Sequence, residues 1–531
     1  MRGSGSRVVS NVTANMAAAS PQERLLSGLD PDQRAAAQVR EGPLLIVAGP
    51  GTGKTRTLTH RIAWLVESGV PPEQCLAITF TRRAADELRE RLAALLPGRS
   101  DRVTVSTFHG LGLSILREHG QTAGLPVRFE VLDSEAQQEL LARALEISPR
   151  SGKRLLADFS RHKRSGAGAR PPGNLAADFA RYQEALRAAG AVDFDDLVRL
   201  TVDLLEEHPE IRDALRARWT SISVDELQDV DPLQYRLLTL LTPPDGNLCA
   251  IGDPDQSIYG FRGSDVTLFW RFLENFPGAR QVRLGRNYRS SGPIVQAALQ
   301  AIRPASLVPG RVLQAMLGNG PKITLHAAPS ERAEAEFVVQ SLEQLLAGHT
   351  FFSIDSGRAS GTSGTGTWTQ IGPADLSFGD LAILFRTEAQ ADALCEALGR
   401  SGLPFQPPAS DPEAWDPRAE RIALLTLHAA KGLEFRVVFI VGCEDGLLPL
   451  RFGPKLAASP EEERRLFFVG MTRAREQLVL SWSRKRRIQG EVRATEPSPF
   501  LADIEKALLE LHRDPPRART AKPDRRQLDL F

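Results

Sequence analysis

The chain is poor in cysteine: it has four in 531 residues, far apart at Cys75, Cys249, Cys395 and Cys443. None forms the Cys-x-x-Cys spacing of zinc sites and redox motifs, and a disulfide framework needs a denser set. This usage fits a reducing cytoplasm. The sequence also lacks an apolar run of the roughly 18 residues that a membrane-spanning helix needs. We therefore expect a cytoplasmic protein without a membrane partner.

An excess of charge of one sign is absent as well, since 66 basic residues face 65 acidic ones. No overall positive field attracts nucleic acid, so any such partner must be bound by local patches. Lysine is scarce, with only nine residues, and the remaining basic residues are arginine. Because Lys54 and Lys431 both lie inside tight motifs, we expect each to have a specific role.

The most informative segment is the run Ala48–Thr55, Ala-Gly-Pro-Gly-Thr-Gly-Lys-Thr, which follows the apolar stretch Leu44–Ala48. A strand that enters a glycine-rich loop ending in Gly-Lys-Thr is typical of the P-loop, whose backbone N–H groups bind nucleotide phosphates. Lys54 would neutralise the β and γ phosphates, and the Thr55 hydroxyl would ligate Mg²⁺. The candidate phosphate-binding residues are Gly49, Gly51, Thr52, Gly53, Lys54 and Thr55.

A second acidic motif follows the apolar run Ser221–Val224, which ends in Asp225-Glu226. In a P-loop enzyme Asp225 would hold Mg²⁺, and Glu226 would polarise the water that attacks the γ-phosphate. Alone, an Asp-Glu pair is equally typical of an ordinary solvated strand end. Together with the P-loop it indicates nucleoside triphosphate hydrolysis.

Short apolar runs alternate with helical stretches along the chain. Most of these runs are continuously apolar, as in strands that are buried on both faces of a parallel sheet. The pattern predicts an α/β fold with two doubly wound domains. The predicted strands are 44–48, 75–79, 103–106, 221–224, 248–251, 281–284, 322–327, 381–385, 422–427, 437–442 and 478–482.

An ordered series of short motifs between Leu29 and about Leu501 resembles superfamily 1 helicases of the UvrD/Rep/PcrA type. The resemblance implies two RecA-like P-loop motor domains, use of ATP and Mg²⁺, DNA-stimulated hydrolysis, and 3′–5′ movement on single-stranded DNA at repair or replication-restart junctions. The motifs are Leu29–Gln33, the P-loop, Thr79–Thr81, Thr107–His109, Val224–Gln228, Gly252–Gln256, Asn287–Ser290, Thr426–Phe435 and Val469–Ala474.

Composition and the order of the motifs divide the chain into segments. A helical, basic region that contains Arg161–Arg164 is predicted to be inserted in the first motor domain, and a helical pattern begins after Ile504. The predicted organisation is a disordered leader (1–26), a first motor domain (27–108 and 193–288), a helical insertion (109–192), a second motor domain (289–503, with a flexible loop at 353–372) and a tail (504–531).

Family resemblance also assigns residues around the nucleotide. Gln33 would pair with the adenine edge, Tyr288 would stack on the adenine face, Glu434 would contact the ribose, and Arg56 would lie near the base.

The resemblance also implies roles in hydrolysis for three further residues. Gln256 would couple the γ-phosphate to the DNA site, while Arg289 and Arg473 would reach the γ-phosphate from the second domain. An arginine in such a position typically contributes about 10³–10⁵ in rate. The alternative for both arginines is a surface salt bridge.

Phe80, Tyr259 and Phe261 match family positions that stack on single-stranded bases, and Arg262 and His109 would contact the strand nearby. Stacking of this kind tolerates any sequence. Considered singly, each of these aromatic residues is more typical of a hydrophobic core than of a strand site.

The chain departs from the family at three places. Phe261 stands where tryptophan is usual, preceded by Gly260 in place of a basic residue, and Arg82-Arg83 replaces Asn-Lys. Only about twenty residues separate Phe405 from Thr426, where the family has a large helical subdomain. Its loss puts duplex unwinding in question and leaves open an alternative: a clamp-tethered translocase that displaces proteins with little unwinding.

The last five residues, Gln-Leu-Asp-Leu-Phe, resemble the pentapeptide that docks bacterial repair and replication proteins on the sliding clamp. Gln527, Leu528, Leu530 and Phe531 would fill its apolar pocket from a disordered tether. The alternative is an amphipathic terminus without a partner. A further alternative is the motor half of a helicase–nuclease, which the absence of a nuclease-like acidic cluster after Leu501 disfavours. Another is a non-catalytic binding module, which the intact hydrolytic motifs disfavour.

Overall fold

The computed structural model describes residues 20–165, 173, 175–347, 376–451, 459–488 and 490–512. The predicted flexible loop at 353–372, the clamp-docking residues 527–531 and most of the predicted leader lie outside this set. None of the helices described in it is both long and apolar enough to cross a membrane.

Two six-stranded parallel sheets form the framework of the protein, which confirms the predicted α/β fold. The first contains β1 (Leu44–Ala48), β2 (Cys75–Thr79), β3 (Thr104–Thr107), β4 (Ser221–Val224), β5 (Asn247–Gly252) and β6 (Arg280–Leu284). The second contains β7 (Ile323–Ala328), β8 (Leu381–Phe385), β9 (Ala423–Thr426), β10 (Phe435–Ile440), β11 (Ala474–Ser483) and β12 (Leu509–His512).

Strand order is the same in both sheets. The first runs β3-β2-β4-β5-β1-β6 and the second β9-β8-β10-β11-β7-β12, and every pairing within them is parallel. The two halves of the chain therefore repeat one topology, as expected for two RecA-like domains.

Residues along β1 alternate between the two faces of the first sheet. Leu45 and Val47 pack in one hydrophobic layer, whereas Leu44, Ile46 and Ala48 pack in the other. Because helices cover both faces, all five residues are buried. This two-sided burial explains the unbroken apolar runs in the sequence.

Helices surround both sheets. Those of the first half are α1 (Pro21–Ser27), α2 (Pro31–Ala37), α3 (Lys54–Glu67), α4 (Arg82–Leu95), α5 (Phe108–His119), α6 (Ser134–Leu145), α7 (Pro149–Arg164), α8 (Ala176–Ala188), α9 (Asp196–Glu207), α10 (Pro209–Arg218), α11 (Pro232–Leu241) and α12 (Thr267–Asn275). Those of the second are α13 (Gly292–Ile302), α14 (Glu331–Ala347), α15 (Ala391–Ser401) and α16 (Pro460–Met471).

The helical insertion has a small core of its own, built from α6, α7 and α8 and including Leu141, Phe159 and Tyr182. Helix α5, which we placed in the insertion, packs instead in the core of the first domain through Leu111 and Ile115. The independently packed part of the insertion therefore begins after α5.

Two terminal predictions are wrong. Residues 21–26 were assigned to a disordered leader, but they lie in α1, whose start is closed by a capping box between Ser20 and Glu23. The helical pattern after Ile504 instead gives a short 3₁₀ turn and then β12, which pairs with β7 at the edge of the second sheet. Edge pairing overrides local helix propensity there, because the strand gains a ladder of backbone hydrogen bonds.

The stretch between α15 and β9 is short. Within this fully described segment the structure has one 3₁₀ turn, Pro412–Ala414, and no helical subdomain. We call residues 402–422 the strap.

Candidate nucleotide and DNA sites

The P-loop connects the end of β1 to the start of α3, so that the positive end of that helix faces the loop. Gly51 and Gly53 have φ angles of 67° and 79°, which side chains other than glycine rarely adopt. The loop therefore depends on glycine for its shape as well as for access to phosphate.

The segment Asn287–Arg289, where the first domain passes into the second, packs directly on this loop. The Tyr288 N–H donates to the Gly51 carbonyl at 2.8 Å, and Asn287 Nδ2 donates to the Pro50 carbonyl at 2.7 Å. A Cβ atom on Gly51 would lie 2.6 Å from the Cβ of Arg289. The loop thus has no room for a side chain on the face where the two halves meet.

A cavity of about 440 Å³ lies between the two halves. The predicted strand residues Phe80 and Tyr259 line it. The predicted nucleotide and catalytic residues that line it are Gln33, Gly49, Gly51, Gly53, Lys54, Thr55, Arg56, Asp225, Glu226, Gln256, Tyr288, Arg289, Glu434 and Arg473. Thr52 is not among them: it is 1% exposed, and its hydroxyl donates to the Gly49 carbonyl at 2.8 Å. Thr52 therefore acts on the loop's shape.

The acidic pair after β4 faces Lys54. Glu226 Oε1 lies 3.4 Å from Lys54 Nζ. Burial works against ionisation of Glu226, but the Lys54 and Lys431 ammonium groups overcome it and lower the pKa of this carboxyl. Burial, reinforced by the charge of Glu226, raises the pKa of Asp225. Asp225 is buried, and the charge of Glu226 disfavours its ionised form unless a cation lies beside it, so Asp225 fits the predicted Mg²⁺ ligand.

Lys431 connects the halves at the inner end of the cavity. Its ammonium group forms an ion pair with Asp229, donates to the Gln256 carbonyl at 2.8 Å and lies 4.9 Å from the centre of the Tyr259 ring. The sequence singled out Lys431 by its scarcity but could not predict these partners, because they are distant in the chain.

The two candidate arginine fingers differ in whether a carboxylate neutralises their charge. Arg289 Nε lies 2.6 Å from Glu434 Oε2, whereas Arg473 donates to the carbonyls of Val469 and Leu433 at 2.9 and 3.1 Å. Burial, and then the positive charge of Arg289, lower the pKa of Arg473 to about 9. Among the described residues no carboxylate pairs with Arg473. A buried cation without a counter-charge suits an anionic ligand.

The other end of the cavity contains the predicted adenine residues. The Tyr288 hydroxyl donates to Asp30 at 2.9 Å, and Gln33 Nε2 donates to the Thr52 carbonyl at 2.9 Å. Arg56 donates to the Gly28 carbonyl at 2.7 Å. These bonds fix the polar groups while the Tyr288 ring stays 40% exposed, which leaves a face free for stacking.

An aromatic cluster adjoins the cavity. The rings of Phe80 and Tyr259 stack with their centres 5.6 Å apart, and Phe261 meets Tyr259 edge-on at 6.2 Å. The Arg262 guanidinium lies 5.2 and 5.6 Å from the Tyr259 and Phe261 rings. Tyr259 is 8% exposed and Phe261 48% exposed, so Phe261 presents the largest free surface of the three rings to a base.

His109 lies outside this cluster and stacks on Phe194 at 3.9 Å. Burial lowers the pKa of His109 to about 4, although Asp195 opposes the shift, so the imidazole is neutral near pH 7. Phe194 is 44% exposed and was missed from the sequence. Its position between two aspartates, in Asp193-Phe194-Asp195, is unusual for a core residue and was the available clue.

The strap contacts the first domain beside the cavity. The Arg83 guanidinium of α4 lies 5.0 Å from the centre of the Trp415 ring, and Trp415 packs edge-on against Phe435 at 5.5 Å. Glu413 lines the cavity. Arg83, which replaces the family's lysine, therefore meets a residue of the shortened connection.

Two family models of known proteins match this chain. The UvrD/REP helicase N-terminal domain matches residues 29–277, and the UvrD-like helicase C-terminal domain matches residues 282–407 and 409–485. The ATP-dependent DNA helicase PcrA of Leuconostoc citreum is 30% identical, covering 95% of this chain and 89% of that protein. The chain belongs to the UvrD-like helicase family.

Other UvrD-like helicases give similar values. PcrA of Staphylococcus aureus (strain MRSA252) is 28% identical, and DNA helicase II of Escherichia coli (strain K12) is 29% identical; each match covers 92% of this chain and 88% of the relative.

The alignment with the L. citreum helicase extends over 668 residues, more than the 531 of this chain, so it must contain long gaps on this side. The C-terminal match breaks at residue 408, inside the strap. Both observations agree with the loss of an inserted segment at the strap of this UvrD-like helicase.

We predict that Gly51→Ala raises the dissociation constant for nucleotide about tenfold or more, because its Cβ would push Arg289 and Asn287 away from the loop. Gly42→Ala is the control, since Gly42 has φ 78° and nothing within 4 Å of its Cβ position. Both variants should lose about 1–2 kcal/mol of stability from left-handed backbone. Equal nucleotide affinities in a fluorescent-nucleotide titration would contradict this account of the loop.

Proposed function

We propose that the protein is an ATP-dependent DNA helicase or translocase that moves 3′–5′ along single-stranded DNA in repair or replication restart. One observation supports this most strongly: Lys54 and Glu226 of the first domain and Arg289 and Arg473 of the second line a single cavity. Relatives matched over 89% and 88% of their own length are named ATP-dependent DNA helicases, and the direction of movement rests on the family resemblance.

In this proposal the chain's own residues prepare hydrolysis. Glu226 is kept ionised by Lys54 and Lys431, so it can orient and deprotonate the attacking water. Arg473 supplies charge to the leaving phosphate oxygens. Thr55 and Asp225 would hold Mg²⁺, which neutralises phosphate charge when bound.

The same contacts couple nucleotide to DNA. Lys431 of the second domain bonds Asp229 and the Gln256 carbonyl, and its ammonium group lies against the Tyr259 ring. A change in the separation of the two halves would therefore alter the contact of Lys431 with the aromatic cluster that would hold the strand. If DNA changes nucleotide affinity, nucleotide must change DNA affinity equally.

The proposed function predicts the effect of one substitution on ATP turnover. Lys54→Ala should abolish ATP hydrolysis, because it removes the cation that faces the phosphates and holds Glu226 ionised. A steady-state ATPase assay with single-stranded DNA, duplex DNA and RNA tests the proposal, with Lys153→Ala as the control on the insertion surface. Wild-type turnover in Lys54→Ala would disprove the assignment, and wild-type stimulation by RNA alone would disprove the DNA substrate.

The second prediction concerns the strand. Phe261→Ala should reduce the ratio of turnover with DNA to turnover without it, because base stacking on one ring is worth about 1–3 kcal/mol. Val127→Ala is a matched control, since Val127 is a 77% exposed apolar residue outside the cluster. The same DNA stimulation in Phe261→Ala and wild type would remove Phe261 from the strand site.

A second candidate is the clamp-tethered translocase that displaces proteins and unwinds little. The absence of a helical subdomain between α15 and β9 favours it. Strand-displacement and protein-displacement assays on one preparation separate the candidates: efficient unwinding of a tailed duplex supports the helicase, and protein removal without unwinding supports the translocase.

We also propose that residues 527–531 dock on a sliding clamp. Deleting Gln527–Phe531 should abolish binding to the clamp in a pull-down or interferometry measurement and leave ATP turnover unchanged. Substitution of Asp529 by Ala is the control within the same peptide, because the anchors are the glutamine, leucines and phenylalanine. Undiminished clamp affinity after the deletion would end this proposal.

A further inference from the structure

The basic run Arg161–Arg164 at the end of α7 is only partly a solvent-facing patch. Lys163 is buried, with 1% of its side chain exposed, and its Nζ lies 2.5 Å from Asp193 Oδ2 and 2.9 Å from Asp196 Oδ2. Removal of one partner from such a buried set leaves an unpaired charge, which is strongly destabilising. The end of α7 is therefore firmly attached to the segment 193–196.

The next residue, Arg164, contacts two separate segments of the chain. Arg164 Nε lies 2.7 Å from Asp195 Oδ1, and Arg164 Nη1 donates to the Arg262 carbonyl at 2.9 Å. A guanidinium group holds its nitrogens in one rigid plane and can bond two partners in fixed directions. Arg164 thus joins two segments that are far apart in the sequence.

Each of these segments presents an exposed aromatic ring. Phe194, next to Asp195, is 44% exposed and stacks on His109. Phe261, next to Arg262, is 48% exposed. Both rings therefore lie one residue from an atom that Arg164 holds.

We propose that Arg164 is a positioning residue that sets the spacing between Phe194 and Phe261, so that a single strand engages both rings together. This inference rests on the proposed function, since it takes single-stranded DNA as the ligand. Arg164 acts through Asp195 and the Arg262 backbone, without binding the strand. The helical insertion, which contains Arg164, thus helps to position the two rings of the first domain that would bind the strand.

The alternative role for Arg164 is direct contact with a DNA phosphate, and salt dependence separates the two. A side chain that neutralises one phosphate of a single strand contributes about 0.7 to the slope of log affinity against log salt. A positioning residue changes the affinity at every salt concentration and leaves the slope as it is.

The test measures the concentration of oligo-dT that half-saturates ATP turnover, at several salt concentrations. We expect Arg164→Ala to raise this concentration about tenfold with turnover at saturating strand retained and the salt slope unchanged. Arg164→Lys should behave as Arg164→Ala, because one ammonium cannot reproduce the two directed bonds. Arg161→Ala, on the same turn and paired only with Asp158 within the described structure, should match wild type.

Asp195→Ala removes the same ion pair by changing the partner of Arg164. It should raise half-saturation similarly, and the double variant Arg164→Ala/Asp195→Ala should add little to either single change. Thermal unfolding of each variant identifies a general loss of folding.

Three results would overturn the inference: unchanged half-saturation in Arg164→Ala, a salt dependence shallower by about 0.7, or full rescue by lysine. A wild-type protein whose turnover does not respond to oligo-dT would instead overturn the proposed function. The two failures are therefore distinguishable in one set of measurements.

Discussion

Positive charge held on both walls of one cavity is the constraint on which the rest of the structure depends. Lys54 lies on one wall and Arg289 and Arg473 on the other. Glu226 and Glu434 neutralise the first two, but Arg473 has no such partner among the described residues. At an effective dielectric constant of about 20, two unit charges 4 Å apart interact with about 4 kcal/mol. An anion bound between the walls would therefore gain an attraction of this order at that distance from Arg473, the cation that no carboxylate neutralises.

The repeated strand order of the two sheets explains why this arrangement needs both halves of the chain. The first sheet supplies the phosphate loop and the acidic pair at the ends of β1 and β4. Arg289 comes from the segment that follows β6, and Arg473 comes from the second sheet, where it directly precedes β11. The contacts of Tyr288 and Asn287 with the loop leave Gly51 no space for a side chain. The glycines thus serve the joint between the halves as well as the phosphates.

What could be predicted from the sequence is what local pattern and spacing determine. The continuous apolar run of β1 identified a strand buried on both faces, and Gly-Lys-Thr after it located Lys54 on the cavity wall. Residues whose role depends on distant partners could not be predicted. Lys163 belongs to a basic run that suggests a solvated surface, yet two aspartates thirty or more residues away bury it. Strand β12 has a helical pattern locally, and only the free edge of β7 makes it a strand.

Coupling between the cavity and the aromatic cluster follows from a buried chain of polar contacts. Gln228 donates to Glu226 and accepts from the Asp253 N–H at 2.9 Å, and Gln256 Nε2 donates to Asp253 at 2.7 Å.

Lys431 then links the Gln256 carbonyl to the Tyr259 ring, beside Phe261. Each broken bond in such a chain leaves a buried polar group unpaired, at a cost of about 1–3 kcal/mol. We therefore expect the chain of contacts to rearrange as a unit, because a rearrangement at Glu226 that stopped partway would leave polar groups unsatisfied in a low-dielectric interior. The proposed motor needs no further connection between phosphate and strand than this.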